Sequence, residues 1–90
     1  MATSLTGPTK RRDPIALAWG EELKYRRTKL LKLTQAQMAK KLGVHQTTVS
    51  QIEVGDLVPS VRLQQAIIRE CGLDDRTIVR LVKGNGGEAA

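Results

Sequence analysis

Glycines at four places divide most of this chain into segments that can form only short helices. Each glycine follows an apolar pattern with helical spacing, and glycine at that place is a common helix end. No segment between them alternates apolar and polar residues as a half-buried strand would. The 90-residue chain is therefore predicted to be all-α. The four positions are Gly43, Gly55, Gly72 and Gly84.

Residues that commonly start helices precede these patterns, so five helices are predicted. Asp13 can cap a helix whose first turn begins with Pro14. Thr34 and Gln37 have the spacing of a capping box, and Ser60 can cap the fourth helix. The predicted helices cover about residues 14–28, 35–42, 46–54, 61–71 and 75–83. The apolar side of the fourth helix is predicted to consist of Val61, Leu63, Ile67, Ile68 and Cys71.

Composition indicates one small domain with short tails. The apolar fraction of 40% is typical of a globular protein, but Trp19 and Tyr25 are the only aromatic residues, so the core must be aliphatic. We assign residues 13–84 to this domain, residues 1–12 to a flexible basic arm and residues 85–90 to a disordered tail. A core this small is marginal, and pairing of two copies is a common remedy, so a homodimer is expected.

The distribution of charge indicates a polyanionic partner. The formal net charge is +6, and the pI is about 10.0. From Lys24 to Ile52 there are seven basic residues and no acidic one. Because a solvated helix usually mixes both signs, a stretch of one sign favours a surface that binds phosphates. Charge alone leaves nucleic acid and an anionic membrane surface as alternatives.

Residue counts argue against several other kinds of site. Cys71 is the only cysteine and His45 the only histidine, so neither an intramolecular disulfide nor a cysteine-based metal cluster is expected. The sequence shows no carboxylate pair for hydrolysis, no acid-base relay for a serine and no glycine-rich phosphate loop, so we expect no enzymatic activity and no cofactor. No apolar stretch approaches the length of about 20 residues that a membrane span needs. A cytoplasmic protein is expected.

The segment from Gln35 to Val54 has the pattern of two helices packed across a tight turn. Ala39 is small enough for a close helix crossing, and Gly43 suits a turn that requires positive φ. The residues spaced to form the core between the two helices are Met38, Leu42, Val44, Val49 and Ile52.

On these residues the chain resembles the Cro and phage-repressor helix-turn-helix family, also called the XRE family, over roughly residues 20–73. Glu53, Gly55 and Pro59 followed by Ser60 also match the family pattern. The resemblance implies a compact five-helix, lambda-repressor-like domain whose second and third helices form the helix-turn-helix. It also implies a sequence-specific regulator of transcription, foremost a repressor that binds an inverted-repeat operator as a homodimer. Aromatic platforms for single-stranded nucleic acid are missing, which favours double-stranded DNA.

The solvent face of the third helix carries side chains suited to the major groove. A glutamine amide can pair with adenine in two hydrogen bonds, and a threonine methyl can contact the thymine methyl. The predicted base-contacting residues are Gln46, Thr47, Ser50 and Gln51, with Thr48 at the rim.

Other residues are better suited to contact phosphates. Such contacts fix the register of the protein on the duplex but do not read the base sequence. Lys40, Lys41 and His45 flank the reading helix, and Lys10, Arg11 and Arg12 can form an arm along the duplex. From the resemblance, Gln35 is expected to contact phosphate and to brace Gln46. The resemblance also implies a buried ion pair of Glu53 with Arg26 or Arg27. The link between the first helix and Gln35 is one residue longer than is usual in the family, so the sequence does not decide between the two arginines.

The fifth helix is the predicted dimer interface, because its apolar residues cover more than one stripe. An antitoxin-type module that uses the same face to bind a protein partner remains an alternative, as does an architectural or recombination factor that bends DNA. The predicted interface residues are Ile78, Val79, Leu81 and Val82.

Overall fold

A computed structural model describes residues 13–83 of the chain. The predicted arm, with Lys10, Arg11 and Arg12, lies outside the described residues, as do Gly84 and the predicted C-terminal tail. Those assignments stay predictions.

Within residues 13–83 the chain forms five α-helices and no strand, which confirms the all-α prediction. The second, third and fourth helices lie where local sequence signals place them. The bounds are α1 Pro14–Tyr25, α2 Gln35–Leu42, α3 Gln46–Glu53, α4 Val61–Cys71 and α5 Asp75–Lys83.

Side-chain caps define the start of α2 and of α4. The Thr34 hydroxyl accepts from the Gln37 amide, and the Gln37 side chain accepts from the Thr34 amide, so the capping box is complete. The Ser60 hydroxyl accepts from the Leu63 amide at 3.2 Å. Gly43 ends α2 with φ of 76°, a left-handed conformation that favours glycine.

The first helix differs from its prediction at its C-terminal end. It does not stop near Thr28 but continues from Tyr25 into a π-helical segment, Arg26–Leu31, which ends at Lys32 with a left-handed φ of 55°. The amides of Lys32 and Leu33 both donate to the Arg27 carbonyl oxygen. A π-helical turn takes up one more residue than an α-helical turn, so this segment absorbs the extra residue of the link before α2.

A mainly aliphatic core lies beneath all five helices and includes the fully buried Trp19. The indole N–H of Trp19 has no hydrogen-bond partner among the described residues. Val61, predicted to lie on the apolar side of α4, is instead exposed at its first turn, and this prediction was wrong because α4 turns Leu63 and Ile67 inward. The largest fully buried side chains are Trp19, Leu23, Met38, Val49, Ile52, Ile67 and Leu81.

The fifth helix packs against α1 of the same chain. Leu81 is fully buried there, and Ile78 packs partly buried against the core. Leu81 therefore cannot belong to a dimer interface, and its assignment is corrected. Val79 and Val82 are about half exposed and remain accessible on the outer side of α5. The apolar stripe formed by Leu81 and Ile78 packs within the chain, and a narrower stripe formed by Val79 and Val82 is exposed to solvent.

A charged contact links α5 to α1 as well. The Glu22 carboxylate accepts from Arg80 Nη2 at 2.6 Å and from Arg26 Nε at 2.6 Å. Burial opposes ionisation of Glu22, but the hydrogen bonds from the two arginines outweigh it, and the pKa of this carboxyl is lowered.

The lowered pKa of Glu22 predicts a loss of stability in acid. The folded state stabilises the charged carboxylate more than the unfolded state does, so Glu22 adds to the free energy of unfolding above the usual glutamate pKa of about 4.3. This contribution is lost as the pH falls. Urea unfolding followed by Trp19 fluorescence between about pH 7 and about pH 3 measures this loss, and Glu22→Gln should flatten it. Glu21→Gln removes the same charge from the exposed side of α1 as a matched control. Identical curves for the two variants would contradict the prediction.

Candidate nucleic-acid interface

The third helix is held against the domain by one side and open to solvent on the other. Val49 and Ile52 are both fully buried and pack beneath α1 and α2. Gln46, Thr47 and Gln51 are exposed on the opposite side. A short helix anchored in this way can enter the major groove without losing its packing.

The predicted base-contacting residues divide into two groups by exposure. Gln46, Thr47 and Gln51 are exposed, whereas Thr48 and Ser50 are half-buried at the edges of the open side. The exposed group therefore carries most of the polar surface that a duplex could meet. Its amides and hydroxyl can both donate and accept hydrogen bonds.

The turn before α3 places its first residues at the surface. His45 lies at the N-cap in an extended conformation, and its exposed side chain forms no capping hydrogen bond. The Val44 amide donates to the Ala39 carbonyl oxygen at 3.0 Å, which closes the turn from the α2 side. Ala39 is buried at the helix crossing, as its size predicts. The imidazole of His45 is accordingly available to a partner at the start of α3.

Lys40 and Lys41, at the end of α2, differ in their surroundings. Both are exposed, but Lys41 Nζ lies 3.9 Å from Glu70 Oε1 on α4. A phosphate would have to compete with that carboxylate for Lys41. An exposed ion pair of this kind contributes little to stability.

The Glu53 carboxylate, at the last residue of α3, selects Arg27 over Arg26 as its partner. Arg27 Nε donates to Glu53 Oε2 at 2.6 Å, and Arg27 Nη2 donates to Glu53 Oε1 at 2.9 Å. Arg27 Nη1 also donates to the Leu33 carbonyl oxygen at 2.9 Å. The hydrogen bonds to Glu53 raise the pKa of Arg27. Arg26, one residue earlier, turns towards Glu22 and the Cys71 carbonyl oxygen.

Gln35 is engaged within the chain. Its Nε2 donates to Glu53 Oε1 at 3.0 Å, so the same carboxylate that binds Arg27 also binds the first residue of α2. Among the described residues no hydrogen bond joins Gln35 to Gln46, and both the brace and the phosphate contact expected of Gln35 stay predictions. Sequence reasoning matched Glu53 to the family's ion pair but did not identify it as an acceptor for Gln35, since nothing local links residues 35 and 53.

Gly20 is a further determinant of the interface that sequence reasoning missed. By residue type alone it is only a weak point of the first helix. An added Cβ at Gly20 would overlap the Ile52 carbonyl oxygen and lie 3.0 Å from the Glu53 carbonyl oxygen. The backbone of α1 therefore touches the backbone of the last turn of α3, and only glycine fits there.

Neither a metal site nor a membrane-spanning segment emerges from the part of the chain that the structure describes. Residues 13–83 hold no group of three or more His, Cys, Asp or Glu side chains placed to bind a metal ion. No helix in the same range combines the length and apolar character needed to cross a bilayer. The thiol of Cys71 is buried, and burial raises its pKa to about 11.

Comparison with known proteins agrees with this geometry. A family model described as a helix-turn-helix matches residues 23–78, from α1 to α5 and including all of α2 and α3. Searches among curated proteins and among solved structures found no match. The match covers more than half of the chain and includes the turn at Gly43 and the anchored helix that follows it. The chain thus belongs to the XRE-type helix-turn-helix family and is a DNA-binding regulator with a Cro- and repressor-like fold.

Proposed function

We propose that this protein is a sequence-specific repressor of transcription that binds an inverted-repeat operator in the cytoplasm as a homodimer. The observation that carries the proposal is the exposed polar side of α3, held in place by the fully buried Val49 and Ile52. Two such helices related by a two-fold axis would enter successive major grooves about 34 Å apart.

Selection of bound sequences from random double-stranded DNA tests the proposal. The expected result is two copies of one short motif in inverted orientation, with centres about one helical turn apart. Recovery of bent or AT-rich duplexes without a motif would instead favour an architectural factor. Repression and activation are then distinguished by the effect of the protein on transcription from a promoter that contains the selected site.

Within the proposed complex, Gln46 reads a base pair. It is exposed at the first position of α3, where the residues of a recognition helix reach base edges. Gln46→Ala is expected to weaken binding to the selected site by about 1 to 3 kcal/mol and to leave binding to random DNA nearly unchanged. Titration of both duplexes at one salt concentration measures the difference. An equal loss on the two duplexes would assign Gln46 to the backbone.

Phosphate contacts are proposed for exposed groups near α3. The better candidates are Lys40 and His45, since neither contacts an acidic side chain among the described residues. Lys41 already lies near the Glu70 carboxylate, which would compete with a phosphate for it. The arm residues Lys10, Arg11 and Arg12 are proposed to follow the backbone beyond the domain.

The outer side of α5 is the proposed contact between the two copies. Val79 and Val82 are about half exposed and lie three residues apart, so they share one side of the helix. Replacing both with serine is expected to weaken self-association about tenfold or more, measured by sedimentation over a range of concentrations. Val61→Ser, which removes an exposed valine from α4, is the matched control and should leave self-association unchanged. A wild-type protein that remains monomeric at every concentration, with and without DNA, would contradict the proposal.

A further inference from the structure

Besides the packing of their buried side chains, α2 and α3 are joined at both ends of the pair. At one end the chain itself connects them through Gly43, Val44 and His45. At the other end the first residue of α2, Gln35, donates to the last residue of α3, Glu53, at 3.0 Å. The buried side chains hold the two helices together, and the polar contact at the end away from the turn further restrains the angle between them.

The acceptor in this second contact is well fixed. The Glu53 side chain is 3% exposed, and both of its oxygens accept from Arg27. Arg27 belongs to the π-helical segment, so its ion pair ties α3 to that segment and not to α2. Among the hydrogen bonds of Glu53, the one from Gln35 is therefore the one that connects the two helices of the helix-turn-helix.

We infer that Gln35 is a positioning residue for DNA reading, which sets the angle of α3 relative to α2 through Glu53. The inference rests on the proposed function and is distinct from the two roles that the family resemblance implies for Gln35, which are binding phosphate and bracing Gln46. A change in this angle displaces the whole exposed side of α3. Loss of the contact therefore alters recognition at the base pairs under Gln46 and at those under Gln51 together.

The three roles predict different patterns of loss for Gln35→Ala. Loss of a phosphate contact weakens binding to all duplexes alike. Loss of a brace on Gln46 affects only the base pair that Gln46 reads. Loss of positioning weakens binding to the selected site, lowers discrimination at several base pairs and leaves random DNA almost unaffected.

The experiment measures the affinity of Gln35→Ala for the selected site, for every single-base variant of that site and for random duplex DNA. Affinity for the selected site is expected to fall about tenfold, because α3 must then be ordered on binding at the angle that the contact otherwise fixes, while affinity for random DNA changes less than about twofold. Gln37→Ala is the matched control. Gln37 lies in the same turn as Gln35, but its side chain caps only the start of α2. It should lower stability without changing discrimination between bases.

Equal losses on all duplexes, or a loss confined to one base pair, would overturn the inference. A wild-type protein that fails to distinguish the selected site from random DNA would contradict the proposed function. The inference alone fails if the wild type distinguishes them and Gln35→Ala shows either of the two patterns just named. If Gln35→Ala is poorly folded, a measurement on the wild-type protein without DNA tests the contact instead. In the wild type, NMR should find the Gln35 side-chain amide protected from solvent exchange, and an unprotected amide would overturn the inference.

Discussion

Gly20→Ala is expected to destabilise the protein by about 3 kcal/mol, although the same change in an exposed helix stabilises by about 1 kcal/mol. The new methyl group would overlap the carbonyl oxygen of Ile52 and approach that of Glu53. Both are backbone atoms at the end of α3, so relief requires α1 and α3 to move apart. Urea unfolding followed by Trp19 fluorescence measures the change, because Trp19 is the only tryptophan and is buried.

A matched substitution separates this clash from the general effect of replacing glycine. An added Cβ at Gly72 meets no atom within 4 Å, but its φ of 65° is left-handed. Gly72→Ala should therefore cost only about 1 to 2 kcal/mol, the penalty for that conformation. If Gly20→Ala were neutral or stabilising, the close contact between α1 and α3 would be wrong. The anchoring of α3 would then need another explanation.

Arg27→Ala is expected to cost about 3 to 5 kcal/mol, which approaches the whole stability of a small domain. The substitution leaves Glu53 as a carboxylate that is 3% exposed and has lost the guanidinium bound to both of its oxygens. It also removes the donor to the Leu33 carbonyl oxygen, which holds the link before α2. Unfolding in urea at neutral pH gives the free energy directly.

Arg26→Ala is the control because it removes the neighbouring arginine of the same segment. Arg26 is bound to Glu22, which keeps Arg80 as a second partner, so its loss should cost about 1 kcal/mol. An equal cost for the two variants would contradict the assignment of the buried ion pair to Arg27.

Signals between near neighbours in the chain determined most of the helix bounds by themselves. Thr34 and Gln37 complete a capping box, Gly43 ends α2, and Ser60 caps α4. Each of these contacts joins residues at most a few positions apart, so residue type and spacing are enough to predict it. The same holds for the buried side of α3, because Val49 and Ile52 lie three residues apart.

Contacts between distant parts of the chain decided the rest. Whether Gly20 weakens a helix or allows two helices to touch depends on Ile52. Whether Arg26 or Arg27 binds Glu53 depends on which of the two side chains faces the end of α3. Leu81 is likewise buried because α5 folds back on α1. Helical spacing identifies which residues share a side, but it does not contain the distance or direction between one helix and another. Those quantities arise only when all the helices pack together around one core.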